Sequence, residues 1–172
     1  MQANIQGVEI ISTKEFFDNR GSFNKLFSTL ENSDIDFNLK EMYFNTSNKD
    51  VLRGMHLQNK PYDLNKIIYC FKGKILDVLL DLRTESPTYL CSFSIELNQN
   101  SNKIIYIPKG VAHGFLSLED NSKLLYLTDN IYSEKQDTGV KWDSFGFDWP
   151  VKKPIISKRD NNLNKLEEWK KI

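Results

Sequence analysis

Short apolar segments, rich in Ile, Leu, Val, Tyr and Phe, recur along this chain about every 10 to 15 residues, separated by clusters of Asn, Asp, Ser, Pro and Gly. That rhythm predicts an all-β sandwich or barrel. The expected strands are Val8 to Ser12, Ser22 to Thr29, Glu41 to Asn45, Val51 to Leu57, Lys66 to Leu82, Tyr89 to Leu97, Lys103 to Ile107, Gly114 to Leu118 and Lys123 to Tyr132. The run from Lys66 to Leu82 contains Lys72-Gly73, so it reads as a hairpin with Gly73 at positive φ. Only the end has helical spacing: Leu163, Leu166 and Trp169-Lys170 follow Asp160, with Asn161 or Asn162 as the expected cap. Between Ser133 and Pro154, Trp142, Phe145, Phe147 and Trp149 predict an ordered loop packed by aromatics.

With 172 residues and no repeat or linker, residues 1–172 read as one domain. Twenty-three basic residues balance twenty-three acidic ones, which removes the basic footprint of a general nucleic-acid binder. Met1 to Gly7 carries no positive cluster before an apolar run, and no run approaches the roughly 20 residues of a membrane span. The expected setting is cytoplasmic, with neither nucleic acid nor membrane as a partner. Cys70 and Cys91 lie in apolar stretches and are expected as buried free thiols.

The chain has two histidines. Period two in Leu52-Arg53-Gly54-Met55-His56-Leu57-Gln58 puts Leu52, Gly54, His56 and Gln58 on one face, with Gly54 leaving room for a ligand beside His56. The alternative is a half-buried, hydrogen-bonded core histidine. Pro108-Lys109-Gly110 leads into the second, His113-Gly114-Phe115, as in the second half of a cupin. A metal-binding cupin places a second histidine two residues after the first, where this chain has Gln58. Two scattered histidines do not supply the three or four ligands of a zinc or iron site, so no metal is expected.

Proton chemistry or binding must then explain the remaining polar groups. Lys66 opens an apolar strand, as a lumen charge or a snorkelling cation. Tyr126 lies inside Leu124-Leu125-Tyr126-Leu127, as a reactive hydroxyl or a core tyrosine. Asp160 follows Ser157-Lys158-Arg159, as a site carboxylate or a helix cap.

Taken in order, Arg20-Gly21-Ser22-Phe23, Arg53-Gly54-Met55-His56-Leu57-Gln58, Lys66, Asp77-Val78 with Asp81-Leu82-Arg83, His113-Gly114-Phe115, Tyr126, Trp149-Pro150 and Ser157-Lys158-Arg159-Asp160 resemble the dTDP-4-dehydrorhamnose 3,5-epimerase family. The resemblance runs from about Glu9 to Asp160. It implies a cupin-like jelly-roll barrel with a short C-terminal helix, no cofactor, and a homodimer that pairs or exchanges N-terminal strands. It implies His56 as general base, Asp160 as its orienting carboxylate, Lys66 facing the sugar ketone and Tyr126 as the opposite acid. His113 lines the sugar site. Phe23 stacks on the base and Arg20 meets the diphosphate, both from the partner chain, with Arg53 and Arg159 as further cations. Asn45, Gln58 and Tyr132 complete the expected substrate-binding set, Tyr132 also as a reserve donor sharing Tyr126's strand parity.

A ketone at carbon 4 acidifies the hydrogens on carbons 3 and 5, and their removal leaves an enolate. A cation fixed beside that oxygen contributes about 3 kcal/mol or more in a dry site. A positioned base contributes typically about 10²- to 10⁴-fold. The implied activity is epimerisation at carbon 3, carbon 5 or both of a nucleotide-diphospho-4-keto-6-deoxy sugar, a hexose or heptose, in deoxysugar and surface-polysaccharide biosynthesis. Alternatives are a nucleotide-sugar 3,4-ketoisomerase, disfavoured by Gln58, and a non-catalytic sugar-nucleotide-binding cupin. The chain departs from common members at Lys25, where an acid is frequent, at Tyr43, where glutamine is common, and in a shortened stretch between Asn45 and Val51. Those departures leave both dTDP- and GDP-linked substrates open.

Overall fold

The computed structural model describes residues 3–28 and 35–169. Thr29, the predicted end of the second strand, and Lys170 of the predicted helix lie outside them. Among the described residues twelve strands form, named in chain order: β1 Glu9–Ser12, β2 Lys14–Asp18, β3 Gly21–Lys25, β4 Glu41–Ser47, β5 Leu52–Gln58, β6 Lys66–Lys72, β7 Lys74–Asp81, β8 Ser92–Asn98, β9 Lys103–Ile107, β10 Val111–Ser117, β11 Ser122–Thr128 and β12 Asp137–Gly139. One five-stranded sheet runs β1-β9-β6-β11-β4 and a second β12-β5-β10-β7-β8, both antiparallel. Among the described residues, β2 and β3 pair only with each other. This is the expected all-β jelly roll.

The two sheets face each other across a core to which both contribute, with Ile68, Ile105 and Leu124 meeting Ile75, Leu79 and Phe115. Their outer faces are largely covered too, except for Met42, Phe44 and Phe71 on the first sheet, which are exposed. Trp142, Phe145, Phe147 and Trp149 of the 133–154 loop, with Leu166 and Trp169, pack behind the second sheet on Leu52, Val78, Leu80 and Leu116. Leu26, Phe27, Ile35 and Phe37 cover Ile67, Tyr69 and Ile104 behind the first. Burial on both faces explains why β7 and β10 read as continuous apolar runs rather than as an alternation.

Gly73 turns the β6–β7 hairpin at φ +72°, as expected. It also meets Ser122 closely, since a Cβ would stand 2.5 Å from the Ser122 Oγ.

Three expectations are corrected. β11 stops at Thr128, so Tyr132 lies in the following loop and has no strand parity with Tyr126. Asp129 ends the strand by accepting from the backbone and side-chain amides of Asn65. The tail does not form a helix after Asp160: a single turn spans Lys158–Asn161 and a 3-10 turn spans Leu166–Glu168. Asn161, Asn162 and Asn164 favour turns, and so short a segment gains little from helical hydrogen bonding alone. Cys70 is buried and free, but Cys91 is exposed, because it lies just before β8 rather than in a strand.

Candidate active site

The open end of the barrel holds a cavity of about 430 Å³ whose lining includes His56, Lys66, His113, Tyr126 and Asp160. β5 and β10 of the second sheet carry His56 and His113, which are partners in the ladder. β6, β11 and β4 of the first sheet bring Lys66, Tyr126 and Asn45. The proposed base and acid therefore come from facing walls.

β5 does not keep the strict alternation expected of it. His113 and Phe115, two apart on β10, pair with His56 and Arg53, three apart on β5. This irregularity turns both Arg53 and His56 to the cavity and sends Leu52, Met55 and Leu57 to the outer core. Gly54 sits at φ +142°, and a Cβ there would stand 2.4 Å from the Gly114 Cα. Its missing side chain makes room for neighbouring backbone, not for a ligand as the alternation suggested.

Asp160 reaches His56 through the one-turn helix. The Ser157 hydroxyl accepts from the Asp160 N–H at 3.0 Å and caps the turn, leaving the Asp160 carboxylate free to point inward. There Oδ2 accepts from the Gly54 N–H at 3.2 Å and Oδ1 lies 2.8 Å from His56 Nε2. The hydrogen bond assigns the imidazole proton to Nε2 and leaves Nδ1 as the basic nitrogen. Burial lowers the proton affinity of His56 below its ordinary value, against the opposing pull of Asp160. Burial pushes the Asp160 carboxyl up, but the hydrogen bond and charge of His56, with Gly54 and Arg159, hold it below the usual range. The pair is thus a neutral imidazole on a carboxylate near pH 7.

Lys66 Nζ donates to the His56 carbonyl at 3.2 Å, and burial lowers its pKa to about 8, with Asp137 and Asp77 opposing. Tyr126 is buried, which raises its hydroxyl well above 10 and keeps it protonated, although Asn45 Nδ2 donates to its oxygen at 3.3 Å. His113 is closed off, its Nε2 2.6 Å from Asp77 Oδ2 and its ring edge-on to Tyr126.

Among the expected binding residues, Arg53 donates from Nε to the Ser47 hydroxyl at 3.0 Å. Gln58 lines the cavity, yet its amide is engaged by the backbone of Tyr62, Ile131 and Ser133, so it holds the loops of the rim. Tyr132 stands at the mouth with its hydroxyl toward Asp137. Arg159 pairs with Asp137 and lies 3.4 Å from His56 Nε2. Arg20 and Phe23 are not brought to the cavity of their own chain. They sit on the β2–β3 hairpin, Arg20 paired with Asp18 at 2.6 Å and Phe23 exposed against Phe16.

The roles of Asp77, Asp137, Glu41 and Tyr43 were not read from the sequence. Asp77 had a signal, a lone carboxylate inside Ile75-Leu76-Asp77-Val78-Leu79-Leu80, which burial obliges to find a partner. Asp137 lies in a polar stretch and had none.

The family model described as dTDP-4-dehydrorhamnose 3,5-epimerase matches residues 2–168, and the chain belongs to that family of isomerases. It is 36% identical to the dTDP-4-dehydrorhamnose 3,5-epimerase of Shigella flexneri, with 96% of this chain and 94% of the relative covered. The Bacillus anthracis epimerase, solved with TDP and PPi bound, superposes with a TM-score of 0.92 at 30% identity, over 96% of this chain and 98% of that one. A 3'-monoepimerase from Streptomyces bikiniensis, solved as a histidine-to-asparagine and tyrosine-to-phenylalanine double mutant with dTDP, gives 0.90 at 26% identity, over 95% and 85%.

Proposed function

We propose that this protein epimerises a dTDP-linked 4-keto-6-deoxyhexose at carbon 3, carbon 5 or both, with His56 as base and Tyr126 as acid. The observation that carries this reading is one cavity that holds His56 on one sheet, paired with Asp160 of the one-turn helix, and a protonated Tyr126 on the facing sheet. His56 Nδ1 takes the proton beside the ketone, and the bonding pair moves to carbon 4's oxygen as an enolate. Lys66, positively charged below about pH 8, stabilises that oxygen. The Asp160 carboxylate stabilises the imidazolium. Tyr126 then gives its proton to the same carbon from the opposite face, and solvent exchange resets both groups.

The nucleotide is taken as dTDP because the relatives carry that name. The exposed Arg20 and Phe23 belong, in this reading, to the site of a second copy in a homodimer, where they would meet diphosphate and base.

Incubation with dTDP-, UDP-, GDP- and CDP-linked 4-keto sugars in heavy water tests the reading. Deuterium at carbon 3 or 5, read by proton NMR, is expected with the dTDP sugar. No exchange above the enzyme-free control with any of them would sink the epimerase assignment, and exchange with the GDP sugar alone would move the nucleotide. Calorimetry should show Phe23→Ala weakening TDP binding by about tenfold, or some 1.4 kcal/mol, at unchanged thermal stability.

A further inference from the structure

Tyr126 has a companion that the proton-transfer scheme leaves without a task. Tyr43 on β4 is its cross-strand partner, and the two rings stack with centroids 5.0 Å apart and planes 11° from parallel. His113 meets Tyr126 edge-on at 5.8 Å and 61°, while Asn45 holds its hydroxyl oxygen. Tyr126 is therefore braced on a ring face, on an edge and at its tip. Two of those braces are buried or part-buried groups fixed by their own strands. The third, Tyr43, shares the edge strand β4 with Asn45, lines the cavity, and is the most exposed of the three at 46%.

A stacked ring resists displacement of its neighbour along the ring normal. That is the direction in which a tyrosine hydroxyl moves when the side chain rocks about Cβ out of its own ring plane. A tilt of about 10° carries the hydroxyl about 1 Å, a misplacement that costs up to about 10²-fold in a proton transfer. Carbons 3 and 5 flank the ketone in one ring, so the same shift changes which carbon the hydroxyl serves. Burial, with the charges of Glu41 and Asp137, pushes the Tyr43 hydroxyl up to about 12, so it stays neutral across the working range.

We propose that Tyr43 is a positioning residue for proton delivery: its stacked ring fixes the plane of Tyr126 and with it the face and the carbon that the Tyr126 hydroxyl reaches. The inference rests on the reading of Tyr126 as the donor. Without the stack, His56 still forms the enolate, but Tyr126 meets it less often. The base then returns a solvent-exchanged proton to the face it left, giving exchange with retained configuration.

The test compares wild type with Tyr43→Ala, Tyr43→Leu and Tyr43→Phe on the dTDP-4-keto sugar in heavy water. Proton NMR counts, at each carbon, deuterium incorporated with retention and with inversion. Their ratio is set within each turnover, so loss of folded protein does not move it. Tyr43→Ala, and Tyr43→Leu should the smaller residue not fold, is expected to raise the retention-to-inversion ratio at least about fivefold at one carbon or both. Tyr43→Phe, which keeps the ring, should stay within about twofold of wild type. A wild-type ratio in the alanine or leucine variant overturns the inference, as does a shift in Tyr43→Phe matching theirs, which would give the task to the hydroxyl. Wild-type protein without any exchange fails earlier and overturns the function reading together with it.

Discussion

His56 and His113 are neighbours across β5 and β10, each with Nε2 against a carboxylate, at 2.8 Å from Asp160 and 2.6 Å from Asp77. The first pair opens to the cavity, with the His56 side chain 24% exposed and Arg159 and Lys66 nearby. The second is shut, with His113 at 4% and Asp77 at 0%. Asp160 arrives from a capped turn of the C-terminal segment, whereas Asp77 is embedded in β7. The same couple can therefore move a proton in one place and brace a wall in the other. Access decides which.

The comparison breaks if both histidines prove equally needed for turnover. His56→Asn should lower exchange at both carbons by about 10²- to 10⁴-fold in kcat. His113→Asn should act mainly on KM, because the residue lines the cavity but is closed off against Asp77. An equal loss of kcat in single-turnover experiments would erase the distinction.

Stability should rank the pairs the other way. Asp77→Ala leaves a buried histidine without its partner and is expected to cost about 3 to 5 kcal/mol in urea unfolding. Asp160→Ala, whose histidine keeps contact with the cavity, should cost about 1 to 3 kcal/mol. Equal costs would show that the open pair is as structural as the closed one.

The smallest effect is a displacement in pH. Base action needs neutral His56, whose proton affinity lies below the ordinary 6.5, so kcat/KM should fall as pH drops through that lowered value. Enolate stabilisation needs charged Lys66, so it should fall again as pH rises through about 8. The positive charge of Arg159 depresses both groups. Arg159→Gln should therefore move both limbs of the pH profile to higher pH, and limbs that stay in place would remove Arg159 from the electrostatics of the open pair.

Much of this was legible in the chain because two covered sheets need long apolar strands, which β6, β7 and β10 display. Likewise, a histidine, a lysine and a tyrosine each set in such a strand stand out against it. What was illegible depends on contacts between distant backbones. Period two assumes a regular ladder, and nothing local in Leu52 to Gln58 reveals that Gly54 must pass close to Gly114. β2 was missed because Phe16 and Phe17 alternate with nothing and face outward. The tail was misread because Leu163, Leu166 and Trp169 have helical spacing, yet Leu166 and Trp169 pack on the outer core from a turn.

The Ser157-capped turn also divides the molecule along its chain: His56, Lys66 and Tyr126 lie on strands, whereas Asp160 lies beyond the last strand described. Cleavage shortly before Ser157 would leave all the described strands in one fragment and take away the carboxylate that faces His56 and the acceptor of the Gly54 N–H. A single nick there would separate possession of the barrel from possession of the His56–Asp160 pair.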